Sequence, residues 1–274
     1  MSSLTRPVLR WHVGKWILAP WIISNLPPHR IYTEVYGGAA SVLIRKSRSY
    51  SEVYNDLDGE VVNLFRVLQN KSQSDELVGK LLLTPFAREE FELAYEQSSD
   101  PVERARRLII LSFMSFGSNG HNVSVRTGFR SNSNRSGTTP AHDWANYPDC
   151  LKLIVDRLRG VVIESRPAIE VLRQHDGLDT LHYVDPPYVH STRKGGKHKD
   201  YRYEMTDADH RDLSLVLHQL TGMIVLSGYQ SALYDELYGD WRKIERTAKA
   251  DGGRDRIEVL WINDAAHVAS MRLL

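Results

Sequence analysis

Leu181-His182-Tyr183-Val184-Asp185-Pro186-Pro187-Tyr188 constrains this chain more than any other stretch. Leu181 to Val184 reads as a short buried strand, and the two prolines after Asp185 forbid its continuation. Neither proline has an N–H to give a sheet neighbour, and each fixes its own φ. The chain must therefore leave the sheet at Asp185 in a stiff turn. An open α/β sheet binds ligands at the carboxyl ends of its strands, where this turn falls. There the Asp185 carboxylate and the Pro186 carbonyl can both accept hydrogen bonds from one exocyclic NH2 group, while Tyr188 stacks on the ring that carries it. Acceptors fixed in advance act without reorganising during the reaction. For Asp-Pro alone an ordinary surface turn is the better reading. An apolar strand running into the whole tetrapeptide favours the amine-holding one.

Upstream, Ile31 to Tyr36 is a β-rich run followed by Gly37-Gly38-Ala39-Ala40-Ser41 and an apolar helical stretch, Val42 to Ile44. Strand, glycine turn and helix in that order let a backbone approach a nucleotide-like ligand. A second strand, Glu52-Val53-Tyr54, ends in Asn55-Asp56, and Asp56 lies about 20 residues past the turn, where an acid can bind ribose hydroxyls. Glycine turn and spaced acid together point to an adenosine-containing cofactor; the glycines alone would serve packing equally well. Before them, Ile17 to Ile23 is an amphipathic segment that Pro20 is expected to break.

The apolar positions Leu57, Val61, Leu64, Phe65 and Leu68 predict a helix, after which the alternation of strand and helix stops. Residues 72–148 contain no convincing strand and read as a helical insertion. Asp100-Pro101-Val102-Glu103 supplies an N-cap, a proline at the first helical position and a capping-box acid. The helix it opens is expected to run to about Phe116, with Phe113 and Phe116 on its apolar face. From His121 to His142 there is no acidic residue, but Arg126, Arg130 and Arg135 stand among Ser, Asn, Thr and Gly. Arginines can meet phosphate or guanine, and amides can read base edges; a polar surface loop is the alternative.

After residue 148 the α/β pattern resumes. Leu151 to Leu158 is a helix, Val161 to Glu164 a strand and Ala168 to Arg173 a short helix. Beyond Tyr188, Ser191 to Tyr203 carries five Lys/Arg against one Asp, including Arg193, Lys194 and Lys197. This cationic flap is suited to phosphate contact, with a solvated loop as the alternative. Thr206 caps a helix striped by Leu213, Val216, Leu217 and Leu220. Met223 to Leu226 is a central strand, Ser231 to Tyr238 a helix, and Arg242 to Ala248 with Arg256 to Ile262 a closing pair of strands around a turn that holds Arg254.

The 274 residues suffice for one large domain or a core plus an insertion, and Lys+Arg of 35 against Asp+Glu of 34 places any nucleic-acid surface locally. The single Cys150 excludes an internal disulfide and a CxxC metal site and fits a reducing cytoplasm. No signal-peptide core and no apolar run of ~20 residues stands out, so no membrane association is expected. The histidines lack ligand spacing, and no metal is expected.

In their order these features resemble the Dam-type group (D12 class) of adenine-specific DNA methyltransferases, and the Ser191-Thr192-Arg193 flap is similar to versions carried by phages and prophages. The resemblance rests on Gly14-Lys15-Trp16, Glu34-Val35-Tyr36-Gly37-Gly38-Ala39-Ala40, Asn55-Asp56, Gly117-Ser118-Asn119-Gly120, Asp185-Pro186-Pro187-Tyr188 and Glu258-Val259-Leu260-Trp261-Ile262-Asn263. Val35 and Ala40 depart from it, standing where that group commonly has proline and glycine. It implies a Rossmann-like class I fold, a mixed seven-stranded sheet flanked by helices, with residues 1–71 and 149–274 catalytic and 72–148 recognising the target. It implies S-adenosylmethionine as methyl donor, S-adenosylhomocysteine as product, and the N6 amine of a flipped-out adenine in double-stranded DNA as acceptor. It places Lys15, Trp16, Glu34, Tyr36, Gly38, Ala39, Asp56, Leu57, Ser165 and Asp185 at the cofactor, and Asp185, Pro186 and Tyr188 at the target base. DNA contacts are expected from Asn119, Arg126, Arg130, Arg135, Arg193, Lys194, Lys197 and Arg254. Such an enzyme acts as a monomer or weak dimer in the cytoplasm, and a cognate restriction endonuclease is one partner it can have.

Three other readings stay open at this point. Cytosine N4, or an amine in RNA or protein, suits the same acceptors; a DNA-binding relative without catalysis would keep the basic loops. A nicotinamide-dependent oxidoreductase would want a fuller G-x-G-x-x-G and has no use for Asp-Pro-Pro-Tyr.

Overall fold

A computed structural model describes residues 6–11, 14–117, 126–132, 137–193, 202–249 and 255–271. Among them the elements run, in chain order, α1 (Ala19–Ser24), β1 (Ile31–Glu34), α2 (Ser41–Arg45), β2 (Ser51–Asn55), α3 (Gly59–Gln69), α4 (Lys71–Leu83), α5 (Arg88–Leu93), α6 (Pro101–Met114), α7 (Pro140–Ala145), α8 (Tyr147–Leu158), β3 (Val161–Glu164), α9 (Ala168–His175), β4 (Thr180–Val184), α10 (Asp207–Leu217), β5 (Met223–Tyr229), α11 (Ala232–Leu237), β6 (Arg242–Lys249), β7 (Asp255–Ile262) and α12 (Asp264–Met271). They divide into two units. One comprises Met1–Trp16, Gly38–Ile44 and Asp58–Arg159, the other Ile17–Gly37, Arg45–Leu57 and Gly160–Leu274.

The second unit carries a seven-stranded sheet in the order β3-β2-β1-β4-β5-β7-β6. The pairs from β3 through β5 are parallel, and β7 runs antiparallel to both β5 and β6. β4 is buried along its whole length and β5 through Gly228, as parallel strands covered on both faces are. Val184, Leu226 and Trp261 pack with Leu213 and Leu217 of α10, Tyr234 of α11, Tyr238 and Trp241 in one core. α10 begins with a full capping box: Thr206 Oγ accepts from the Asp209 amide at 3.2 Å, and Asp209 accepts from the Thr206 amide at 2.7 Å. Pro20 does not break its segment. It lies in the first turn of α1, where a missing N–H loses no helical bond.

A buried ion pair braces the same unit. Lys46 Nζ lies 2.8 Å from Glu52, both side chains being 4% exposed, and Lys46 also sits 4.4 Å over the Tyr32 ring.

In the first unit α6 is the central helix, packed by α3, α4, α5 and α7, with α8 against α3 and α4. Val102, Ala105, Leu108, Ile109 and Phe113 are buried as their spacing predicts. Asp100 caps the helix by accepting from the Val102 amide at 3.0 Å, and Pro101 occupies its first turn. Glu103 does not complete a capping box; Arg106 and Arg107 each donate to it at 2.8 Å, which holds its carboxyl down to about 2. α6 also ends earlier than expected, at Met114. The chain turns out at Ser115 to form an isolated bridge with Phe129, the Phe116 amide donates to Gly128 O at 2.7 Å, and the Phe116 side chain is 70% exposed.

Candidate active site

Strand order reverses between β1 and β4: from β1 the sheet grows through β2 to β3, and from β4 through β5. That reversal opens a crevice at the carboxyl ends of the two strands. Glu34 of β1 faces Tyr183 of β4 in the register, so the turns starting at Val35 and Asp185 leave the sheet side by side.

Asp185 is half-buried, and the Ser227 hydroxyl donates to its Oδ1 at 2.8 Å. Ser227 Oγ is in turn 3.0 Å from the Tyr183 hydroxyl. A serine has one hydrogen to give, and here Asp185 receives it, so Tyr183 is the donor to Ser227. Burial, and then the charge of Asp185, hold the Tyr183 phenol well above its usual pKa, so this proton stays in place. The two hydroxyls form a buried chain that holds one oxygen of the carboxylate. Pro186 is buried, and Tyr188 is 4% exposed, its hydroxyl donating to Glu258 at 2.7 Å and its ring set edge-on against Tyr229 at 4.4 Å.

The remaining expected cofactor residues of this unit follow along the same edge. Glu34 ends β1, 3% exposed, and accepts from the Tyr32 hydroxyl at 2.7 Å. Tyr36 packs against the core, and burial raises its phenol pKa. Half-buried Asp56 and exposed Leu57, which precedes α3 and does not join its apolar face, follow β2. Exposed Ser165 follows β3. Asn55, which sequence reasoning passed over as a functional residue, ties these turns together. It is 1% exposed; its amide nitrogen donates to Val35 O at 2.9 Å and Arg166 O at 3.0 Å, and its amide oxygen accepts from the Arg166 amide at 2.9 Å. Its backbone carbonyl accepts from the Gly37 amide at 2.9 Å. Ser227 and Glu258 were also missed; the available signal was a polar residue next to an apolar run in each strand, Met223 to Leu226 and Val259 to Ile262.

The glycine turn has packing reasons of its own. A Cβ on Gly37 would lie 2.1 Å from the Tyr54 ring. Gly38 has φ +46°, and a Cβ there would lie 2.9 Å from Trp11 Nε1. Ala40 adopts φ +52°, a left-handed conformation that glycine adopts more readily, with its side chain fully buried. In this first unit Lys15 is 4% exposed, Trp16 half-buried and Ala39 buried. The donor set of the sheet edge fits an adenosyl cofactor: a half-buried carboxylate for a ribose diol one strand from a turn without a side chain at Gly37.

The expected DNA contacts divide. Asn119, Arg135, Lys194, Lys197 and Arg254 lie outside the described residues. In the first unit the Arg126 guanidinium covers the Tyr95 ring at 4.8 Å, and Arg130 lines a cavity of ≈ 210 Å³ with Arg6, Arg10, Phe113 and Asp143. In the sheet unit Arg193 donates to the Tyr188 carbonyl and, at 2.7 Å, to Glu204. Among the described residues no group of three or more His, Cys, Asp or Glu could hold a metal ion, and no helix is long and apolar enough to cross a membrane.

A family model described as D12 class N6 adenine-specific DNA methyltransferase matches residues 11–251. No curated protein matches the chain. Among solved structures, precorrin 8w decarboxylase of Methanobacterium thermoautotrophicum is similar at 10% identity over 90% of this chain and 89% of that one, with a TM-score of 0.37.

Proposed function

Because the chain belongs to the family of D12 class N6 adenine-specific DNA methyltransferases, we propose that Asp185, Pro186 and Tyr188 hold its target base at the carboxyl end of β4. The enzyme methylates N6 of adenine in DNA, with S-adenosylmethionine as donor. That cofactor supplies, when bound, a methyl group on a positively charged sulfur.

An adenine stacked in a duplex cannot enter a protein crevice, so it must be swung out, at a cost of roughly a few kcal/mol. In this reading the Tyr188 ring returns ~1–3 kcal/mol of stacking. The Asp185 carboxylate and the Pro186 carbonyl accept the two N6 hydrogens, which turns the nitrogen lone pair out of the ring. Asp185 also stabilises positive charge as it develops on that nitrogen. The single observation that carries this assignment is the Ser227–Asp185 hydrogen bond at the strand-order reversal, which holds one oxygen of the carboxylate.

Lys15, Trp16, Glu34, Tyr36, Gly38, Ala39, Asp56, Leu57, Ser165 and Asp185 are assigned to the cofactor, Asp56 to its ribose. Residues 72–148 are assigned to target recognition and the rest to catalysis. Arg126, Arg130 and Arg193, with Asn119, Arg135, Lys194, Lys197 and Arg254, are assigned to DNA. Double-stranded DNA is the proposed substrate form. The half-buried Asp56 and the side-chain-free turn at Gly37 support the cofactor assignment. Tritium transfer from labelled S-adenosylmethionine to DNA tests the set. Asp56→Ala should weaken cofactor binding at least tenfold in calorimetry, and Arg126→Ala and Arg130→Ala should raise KM for DNA while leaving cofactor affinity unchanged.

A further inference from the structure

Glu258 is a buried acid that the reaction described so far does not use. It lies on β7, 1% exposed, directly before the apolar run Val259 to Ile262. Burying a carboxylate is expensive unless strong hydrogen bonds compensate for lost water. Here the Tyr188 hydroxyl donates to Oε1 at 2.7 Å. Tyr229, two residues beyond Ser227 on β5 and hence on the same face of the strand, sets its ring edge-on against Tyr188 at 4.4 Å and 64°. Arg256, two residues before Glu258 on β7, covers the Tyr229 ring at 4.9 Å. β5 and β7 are hydrogen-bonded neighbours, with Tyr229 opposite Glu258.

Two adjacent strands thus hold one ring at two points, the hydroxyl from β7 and the ring edge from β5. An unrestrained tyrosine rotates about two side-chain bonds, and stacking on a base is productive in only one orientation. We propose that Glu258 is a positioning residue for the methyl transfer, holding the Tyr188 ring through its hydroxyl in one orientation at the end of β4, where the target base is assigned. This rests on the assignment of Tyr188 to the target base.

The test uses the full-length enzyme, S-adenosylmethionine and DNA, with steady-state kinetics and calorimetric cofactor binding for each variant. Tyr188→Ala examines the underlying assignment: unchanged kcat there would remove both readings together. With Tyr188→Ala impaired, Tyr188→Phe and Glu258→Leu should each lower kcat about tenfold, the loss of one hydrogen bond to a charged acceptor, with cofactor affinity unchanged. Glu258→Gln, which still accepts from the hydroxyl, should recover most of that loss and also covers the case in which the leucine variant does not fold. The double variant Tyr188→Phe/Glu258→Leu should be no slower than Tyr188→Phe alone, because Glu258 acts through the hydroxyl. Multiplicative losses in the double variant, or wild-type kcat for Glu258→Leu, would overturn the proposal while leaving Tyr188 at the base.

Discussion

Ser227→Ala separates positioning from packing at the acidic turn. The substitution deletes one oxygen, fully buried, that gives its proton to Asp185 Oδ1 at 2.8 Å and receives that of Tyr183 at 3.0 Å. A hydrogen bond to a charged acceptor contributes ~1.5–3 kcal/mol, so a carboxylate freed from it should lower kcat by about 10- to 100-fold. A second effect falls on stability. The Tyr183 hydroxyl, in a side chain 1% exposed, loses its acceptor, and an orphaned buried donor costs ~1–3 kcal/mol, or a Tm lower by roughly 2–4 °C per kcal/mol for a chain of this size. The two effects part in Ser227→Ala/Tyr183→Phe, where no hydroxyl is stranded: stability should return and the rate should not. Steady-state methylation with thermal melts on the two variants makes the comparison, with calorimetric cofactor affinity as the control. Wild-type kcat in Ser227→Ala, or a rate that recovers with stability in the double variant, would refute the positioning argument.

Two further predictions concern the sheet unit. Glu52→Ala removes the buried carboxylate that balances the Lys46 charge, leaving the ammonium with Ser47 O at 2.8 Å, Ser49 Oγ at 2.7 Å and the Tyr32 ring, and should destabilise the fold by up to ~3 kcal/mol in denaturant titration; replacing both partners with Lys46→Met/Glu52→Leu should be milder. His182, fully buried between Thr33 at 2.7 Å and Asp176 at 3.6 Å, is held by burial down to a pKa of about 4 from the usual 6.5. Its folded value lies below its unfolded one, so the stability it contributes is complete above pH 6.5 and is lost as pH falls toward 4, by up to ~3 kcal/mol; His182→Gln should flatten that part of the urea-midpoint profile.

The strands were legible because the sheet is buried on both faces: β5 opens on an apolar run, β1 and β4 are rich in branched and aromatic residues bounded by turn residues, and Asp-Pro-Pro can end a strand in few ways. Helices whose apolar spacing is regular, α3, α6 and α10, were legible for the same reason. α4 was not, since only Ser74, Leu77 and Leu81 are buried while Leu82 and Leu83 face solvent. Local rules failed where a tertiary partner outcompeted them. Glu103 has arginines one turn further on and leaves the Asp100 amide alone, Pro20 begins a helix, and Gly37 answers to Tyr54. At the site, the acids and the aromatic ring could be read from the turn itself. The residues that orient them, Asn55, Ser227 and Glu258, could not, because each acts across strands far apart in sequence.

In the proposed reaction the acidic corner after β4 grips the adenine amine. Mass spectrometry of nucleosides from DNA incubated with S-adenosylmethionine and either wild type or Asp185→Ala reads this out. N6-methyladenine is expected from the wild type and none above background from Asp185→Ala, with cofactor affinity intact in the variant. Appearance of N4-methylcytosine in its stead, or equal N6-methyladenine from both proteins, would contradict it.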